Sequence, residues 1–355
     1  MNYVIINSMR ILILGNNYCA ESFFNNLKNR ENDIVFTNCS KVKSSVKYTD
    51  ERDLIDFCEA NEINFVLITD KTYMVESFLE KLNSLNITVF APTSEAIKIC
   101  KYKSYVKKFI NKNKFLSPKY FIAEKLNMAT DYLKSTNLPV AIHPEETTES
   151  ECVQFAETYR DAQKIINKFF ESGNKKIVLE DYIQGKNFTI WTISDGYSAK
   201  IMGINAKYQN KIGMSDPHFV TNELKQNLLE NVINPAIASL AEEEEYIGIL
   251  GFNFILDNKN NPYLLGFNCF FDEISVDFYT NCCEIDWIDV FESCIIGNIF
   301  SKYDFKANDE YALTIKTDNE IKFISSKIKS NLDKYVSELG YDTQDYKEAI
   351  QLWKY

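Results

Sequence analysis

Over the first hundred positions, apolar residues come in short runs separated by amphipathic stretches. Met9 to Gly15, MRILILG, is an apolar run ending in glycine, and AESFFNNLKN after it gathers its apolar residues on one helical face. DIVFTN, INFVLITD and ITVFAP read as further strands, with DERDLIDFCEANE and MVESFLEKLNSLN as helices between them. Strands alternating with helices predict a parallel, doubly wound Rossmann-like sheet over residues 1–100.

From Ser94 the pattern becomes helical through EAIKICKYKSYVKKFINKN, stopping before Ser117-Pro118. Beyond it, KYFIAE and LPVAIHP predict short strands around a helix at ATDYLKST. DAQKIINKFF predicts a helix, KKIVLEDYI a strand, and QGKNFTIWTISDG with SAKIMGINAKY a hairpin. This is the pattern of an α+β lid, at about 117–186. A long helix, ELKQNLLENVINPAIASLAEEEE, leads to the strands GILGFNFILDN and NPYLLGFNCFF, joined by the turn NKNNP. Two last helices, around WIDVFESCIIGNIF and ISSKIKSNLDKYVSELG, flank one strand, YALTIKT. No internal repeat appears, and the AEEEE run reads as a solvated helix end.

Composition narrows the classes. At 355 residues the chain exceeds what one core usually organises, so two or three subdomains are expected. Lys plus Arg number 39 against 50 Asp plus Glu, a net charge of −11 without a long basic run, which argues against a nucleic-acid partner. The apolar start is broken by Asn2, Asn7, Ser8 and Arg10, so neither a signal peptide nor a membrane span is expected, and Met9 serves as a start as well as Met1. Nine scattered cysteines, with Cys282-Cys283 the one close pair, predict free thiols in a reducing cytoplasm, mostly as small buried apolar groups. Two histidines, no Gly-x-Ser-x-Gly elbow and no HExxH leave hydrolase and zinc chemistries unsupported.

One segment stands apart. PVAIHPEETTES, residues 139 to 150, begins as a buried strand and then places Glu145, Glu146, Glu149 and Glu151 in a row without glycine or lysine.

Several words of the sequence, in this order, resemble the glycinamide ribonucleotide synthetase (phosphoribosylamine–glycine ligase) family of the ATP-grasp superfamily. VFAPT (89–93) and KYKSYVKKF (101–109) are similar to the family's Gly-Pro-Thr strand end and the Ser-Lys helix after it. FLSPKY is similar to its Ile-Pro-Thr, VLEDYIQG (178–185) to its Val-Ile-Glu-Glu-Phe-Leu-x-Gly, and GFNCFF (266–271) to its Glu-Phe-Asn-x-Arg-Phe. The collinear match covers about residues 9–305. The resemblance implies a pre-ATP-grasp domain over 1–100, an ATP-grasp domain over 101–306 and a shortened C-terminal remnant over 307–355.

It also implies a chemistry, in which a carboxylate attacks the γ-phosphate of ATP and an amine displaces the phosphate to give an amide, with ATP and Mg2+ bound. Lys103 and His143 then fall at the phosphate-binding lysine positions, Glu180 at the acceptor for the adenine amine, and Ile183 at the backbone contact to the adenine edge. Gly15 falls at the substrate phosphate turn, and Asn268 at a metal ligand, with Asp272 and Glu273 as substitutes and Asp257 more distant. Against the family pattern, the glutamate run replaces a glycine- and lysine-bearing phosphate flap, Asn187 replaces the hinge acid, Gly266 the metal glutamate and Phe270 an arginine. Carboxylates crowding a triphosphate repel it, and an amide binds magnesium weakly. Two expectations follow: a ligase with altered sites, or a catalytically silent relative that binds a small ligand, a nucleotide or a protein partner.

Overall fold

In the computed structural model of the chain, residues 9–354 are described except 32, 49, 147–151, 210, 282–284, 300–302, 304, 306–310, 318–319 and 342. Three sheets carry the architecture. The first contains β1 (Arg10–Leu14), β2 (Ile34–Thr37), β3 (Phe65–Ile68) and β4 (Thr88–Phe90), all parallel in the order β2-β1-β3-β4. Helices α1 (Tyr18–Leu27), α2 (Glu51–Ala60) and α3 (Glu76–Ser84) connect them. Alternation splits the strands cleanly: Leu12, Leu14, Val66 and Ile68 pack with α2 and α3, while Ile11, Ile13, Phe65 and Leu67 pack with α1 on the other face.

Next come α4 (Lys98–Lys101) and α5 (Lys103–Lys112). The single helix expected here is broken at Tyr102, whose extended backbone (φ −107°, ψ 111°) pairs with Glu146 as an isolated bridge. The lid follows: β5 (Tyr120–Ala123), α6 (Leu126–Leu133), β6 (Val140–Pro144), β7 (Gln154–Ala156), α7 (Tyr159–Glu171) and β8 (Ile177–Asp181). Its antiparallel sheet runs β5-β8-β6-β7, with Val140, Ile142, Ile177 and Leu179 buried on α6 and α7.

The third sheet is built from β9 (Gly185–Asp195), β10 (Ala199–Tyr208), β11 (Ile212–Ser215), β12 (Ile247–Asp257), β13 (Pro262–Asn268), β14 (Tyr311–Lys316) and β15 (Ile321–Ser326), in the order β13-β12-β9-β10-β11-β14-β15. The stretch KIGMSDPH supplies β11. The start of ISSKIKSNLDKYVSELG, expected as helix, is the end of β15. The long helix expected before β12 is α8 (Asn222–Leu228), a π turn over Leu229–Ile233, and α9 (Asn234–Ala241). Pro235 sits in the first turn of α9, has no N–H to donate, and so forces the change of hydrogen-bond register. Helices α10 (Val276–Asn281) and α11 (Trp287–Ile295) follow β13, and α12 (Lys329–Glu338) and α13 (Gln344–Lys354) follow β15.

The expectation of free thiols is corrected at one pair. Cys100, after Ile99 in α4, and Cys269, just past β13, are disulfide-bonded with their Cα atoms 5.9 Å apart, a proximity hidden by a sequence separation of 169. Cys19, Cys39, Cys58, Cys152 and Cys294 are free, and Cys282-Cys283 lies outside the described residues.

Candidate functional site

Three of the residues singled out from sequence converge where α5 meets the lid sheet. Glu180, buried on β8, places Oε1 3.1 Å from Lys103 Nζ and 3.0 Å from Lys107 Nζ, while its Oε2 faces His143 Nε2 at 3.6 Å. The register explains the meeting on the lid side: Glu180 lies opposite Ala141 on β6, and His143, two residues further along, shares its face. Helical spacing explains the other side, since Lys103 and Lys107 are one turn apart on α5. Lys103 also donates to the Leu265 carbonyl on β13 at 3.0 Å, and Lys107 donates to the Ser117 hydroxyl at 3.0 Å. The cluster thus ties the lid, α5 and the large sheet together.

Burial makes the charges matter. It pushes the Glu180 carboxyl up, but the lysines overcome it and hold the group well below its usual range. Burial and the charge of Lys103 lower Lys107 to about 8, against the pull of Glu180. Burial and Lys103 likewise lower His143 to about 4, so the imidazole is neutral at pH 7. Two lysines share one carboxylate, leaving an excess positive charge at the lid. Lys107 was legible only as one member of a lysine-rich helix face. The signal that could have found it is its place between Val106 and Ile110 on the buried side of α5.

Ile183 sits half-buried between β8 and β9. The first part of the glutamate run is structural: Glu145 accepts from the Ser104 amide at 3.3 Å and the Ser104 hydroxyl at 2.6 Å, and its carbonyl accepts from the Lys103 amide at 2.8 Å. It therefore caps α5, whose own Tyr102 offers no side-chain cap. Glu146 lies 3.9 Å from Lys101 Nζ at the surface, and Glu149 and Glu151 lie outside the described residues.

The strand end is built from neutral groups. Thr189 on β9 donates to Asn253 Oδ1 on β12 at 2.8 Å, and Asn253 donates to Asn268 Oδ1 on β13 at 3.0 Å. Asn205 lies directly opposite Thr189, so one sheet face carries three amides in a row of strands. Asp272 pairs with Lys207 and accepts from the Ser275 amide at 2.9 Å, and Glu273 pairs with Lys316. Asp257 is the organiser of the β12–β13 turn, accepting from the Lys259 and Asn261 amides at 2.8 Å each. Among the described residues no three His, Cys, Asp or Glu side chains stand together as a metal site.

Gly15, at the end of β1, is separate from both ends. Its amide donates to Asn38 Oδ1 at 2.9 Å, and a Cβ there would fall 2.1 Å from Thr69 Oγ1. Asn17 caps α1 by accepting from the Ala20 amide at 2.9 Å, so the Gly15 and Ala20 amides of this turn already have side-chain acceptors. Beside it, between the ends of β3, β4 and β12, lies an apolar cavity. Phe23, Phe90, Ile249, Phe270 and Phe271 line it, with Thr69 its one hydroxyl and no charged side chain.

Residues 101–276 match the phosphoribosylglycinamide synthetase, ATP-grasp (A) domain. Curated relatives include the phosphoribosylamine–glycine ligase of Neisseria meningitidis, 24% identical over 276 residues (72% of this chain, 65% of that protein). Another is the enzyme of that name from Fusobacterium nucleatum, 23% identical over 350 residues (86% of this chain, 80% of that protein). The crystal structure of the phosphoribosylamine–glycine ligase of Thermotoga maritima superposes with a TM-score of 0.68 at 15% identity, over 86% of this chain and 80% of that one. Residues 101–276 thus match an ATP-grasp domain, and the chain has the α/β and α+β architecture of that fold. It is similar to phosphoribosylamine–glycine ligases at 22–24% identity, and it spans 65% of the length of the Neisseria protein.

Proposed function

We propose that this ATP-grasp protein keeps a ligand site at its lid, of a kind suited to a nucleotide or similar anion, and no longer carries out acyl-phosphate chemistry. The observation that carries this reading is the contrast in charge between the two ends of the site. At the lid, Lys103, Lys107 and Glu180 form a buried cluster with excess positive charge. On β13, Gly266 and an amide-bonded Asn268 stand where the family has metal ligands, and the two carboxylates that follow are held by lysines.

Magnesium does not fit this set of residues. It asks for several hard oxygens, carboxylates above all, and an amide already engaged in a side-chain ladder is a poor substitute. Lys103, Glu180 and the Ile183 backbone are the groups that would meet a nucleotide base and its first phosphate. The Gly15 amide's bond to Asn38 and the apolar cavity beside it argue against a phosphosugar as a second ligand. The alternative, an active ligase, draws its support from the lineage.

Thermal unfolding separates the two. A ligand at ~100 times its dissociation constant adds about 2.7 kcal/mol, a shift of several degrees. The expected result is a rise in Tm with ATP that is the same with and without Mg2+, and no ADP release. ADP release that depends on glycine and phosphoribosylamine would overturn the proposal in favour of the ligase. No shift with any nucleotide would remove the ligand site and leave a protein-interaction role.

A further inference from the structure

The disulfide joins two elements that the lid cluster also joins. Cys100 belongs to the segment that enters α5 at Lys103, and Cys269 follows Asn268 at the end of β13. Only Lys101 separates Cys100 from the break at Tyr102, where the chain leaves α4. On the far side of that break, Lys103 holds β13 through the Leu265 carbonyl. The covalent tie therefore pins α4 to the same strand that the lysine grips, and Cys269 lines the apolar cavity.

The other described cysteines differ in kind. Cys19, Cys39, Cys58 and Cys294 are buried, and burial pushes Cys58 up to about 11 and raises Cys19 and Cys294 as well, which disfavours the reactive thiolate in those three. Cys152 is exposed on the lid, with no cysteine bonded to it. Cys100 is half-buried and Cys269 is 4% exposed, so Cys100 is the more accessible residue of the pair.

We propose that Cys100 and Cys269 form a reversible dithiol–disulfide switch, through which the thiol redox state sets whether α4 is locked to β13. The oxidant is a small-molecule disulfide. The Cys100 thiolate attacks one of its sulfurs and expels a small thiolate, leaving a mixed disulfide. The Cys269 thiolate then displaces the second small thiolate from Cys100. Two electrons pass from the protein to the reagent, and the two protein thiol protons end on two small thiols. Reduction runs the same steps backwards, freeing α4 and opening the cavity wall at Cys269.

The test uses the full chain in redox buffers of reduced and oxidised small thiol, with thiols trapped by an alkylating reagent and mapped by mass spectrometry. In oxidising buffer the peptides carrying Cys100 and Cys269 are expected to be recovered linked. In reducing buffer both should be alkylated while the fold persists, with Tm lower by roughly 5–10 °C because a long loop is no longer closed. Returning the buffer should restore the link and the Tm. Cys100→Ser and Cys269→Ser should each abolish the Tm response, and Cys152→Ser should keep it. Three results would overturn the proposal: both thiols alkylated in oxidising buffer, a Tm unchanged within about 1 °C across the redox range, or a link that reduces only after unfolding. If the serine variants do not fold, the wild-type redox titration decides alone.

Discussion

Glu180 on β8 and Asn268 on β13 mark the two ends of the proposed site, and charge is treated in opposite ways around them. Glu180 is buried among two lysines and a neutral histidine, an arrangement that costs desolvation and persists only because the partners face each other at 3.0 to 3.6 Å. Asn268 is joined to Asn253 and Thr189 through uncharged hydrogen bonds, and the nearby carboxylates are neutralised by Lys207 and Lys316. The lid end holds buried charge, and the strand end is held by neutral hydrogen bonds.

Removing the shared carboxylate is the strongest way to break this comparison. Glu180→Gln leaves two lysines without a buried counter-ion and should cost about 3–5 kcal/mol in denaturant unfolding. Adding Lys107→Met should recover part of the loss, and simple additivity of the two changes would mean that the groups are not coupled.

Next comes pH. His143 has a folded pKa of about 4, below its unfolded value, so it takes up a proton on unfolding as pH falls through the interval between them. Stability is full above about pH 6.5 and is lost toward pH 4, by up to about 3 kcal/mol from this group. Glu180, also depressed, adds to the loss below its usual range. His143→Gln should flatten the slope between pH 6.5 and 4, and an unchanged slope would assign the acid sensitivity elsewhere. Lys107, lowered to about 8, acts in alkali, where its unfolded form holds the proton longer and stability rises with pH.

A smaller effect is expected at the cap. Ser104→Ala removes the hydroxyl that Glu145 accepts from and should cost about 1 kcal/mol. The gentlest change sharpens the other end. At Gly266 an added Cβ meets only Val106 Cγ1 at 3.7 Å, so Gly266→Glu should alter stability by less than about 1 kcal/mol. Combined with Glu151→Lys, it should make the nucleotide-induced rise in Tm depend on Mg2+, and continued indifference to the metal would show that more than these positions was lost.

The readable parts of the sequence were those whose environment is uniform. MRILILG is buried on both faces, so its apolar run alone announced β1, and NKNNP marked the β12–β13 turn through its own turn chemistry. β11 was not readable because its conformation is imposed from outside: IGMS is short, and a side chain on Gly213 would strike Ile274 Cγ2 at 1.9 Å. β15 was hidden because IKFISS runs without a break signal into the next helix. At the site, Lys103, His143 and Glu180 were legible through the family resemblance, but their mutual contact depends on β8 and α5 meeting in space. The Cys100–Cys269 bond and the buried state of Lys107 have the same cause, since pattern shows which face is apolar and not which distant strand will cover it.

The hairpin of β14 and β15 has a consequence for how the molecule stays apart from its own copies. It covers the outer edge of β11, pairing Ile212 with Ile315 and Met214 with Leu313, while Leu332, Val336 and Tyr346 shield the same strand's face. A chain cut after residue 306 would present that strand as an open, apolar border seeking hydrogen-bond partners, the kind of border along which separate molecules stitch into aggregates. The last fifty residues, whatever chemistry the rest performs, act as the hem of the sheet.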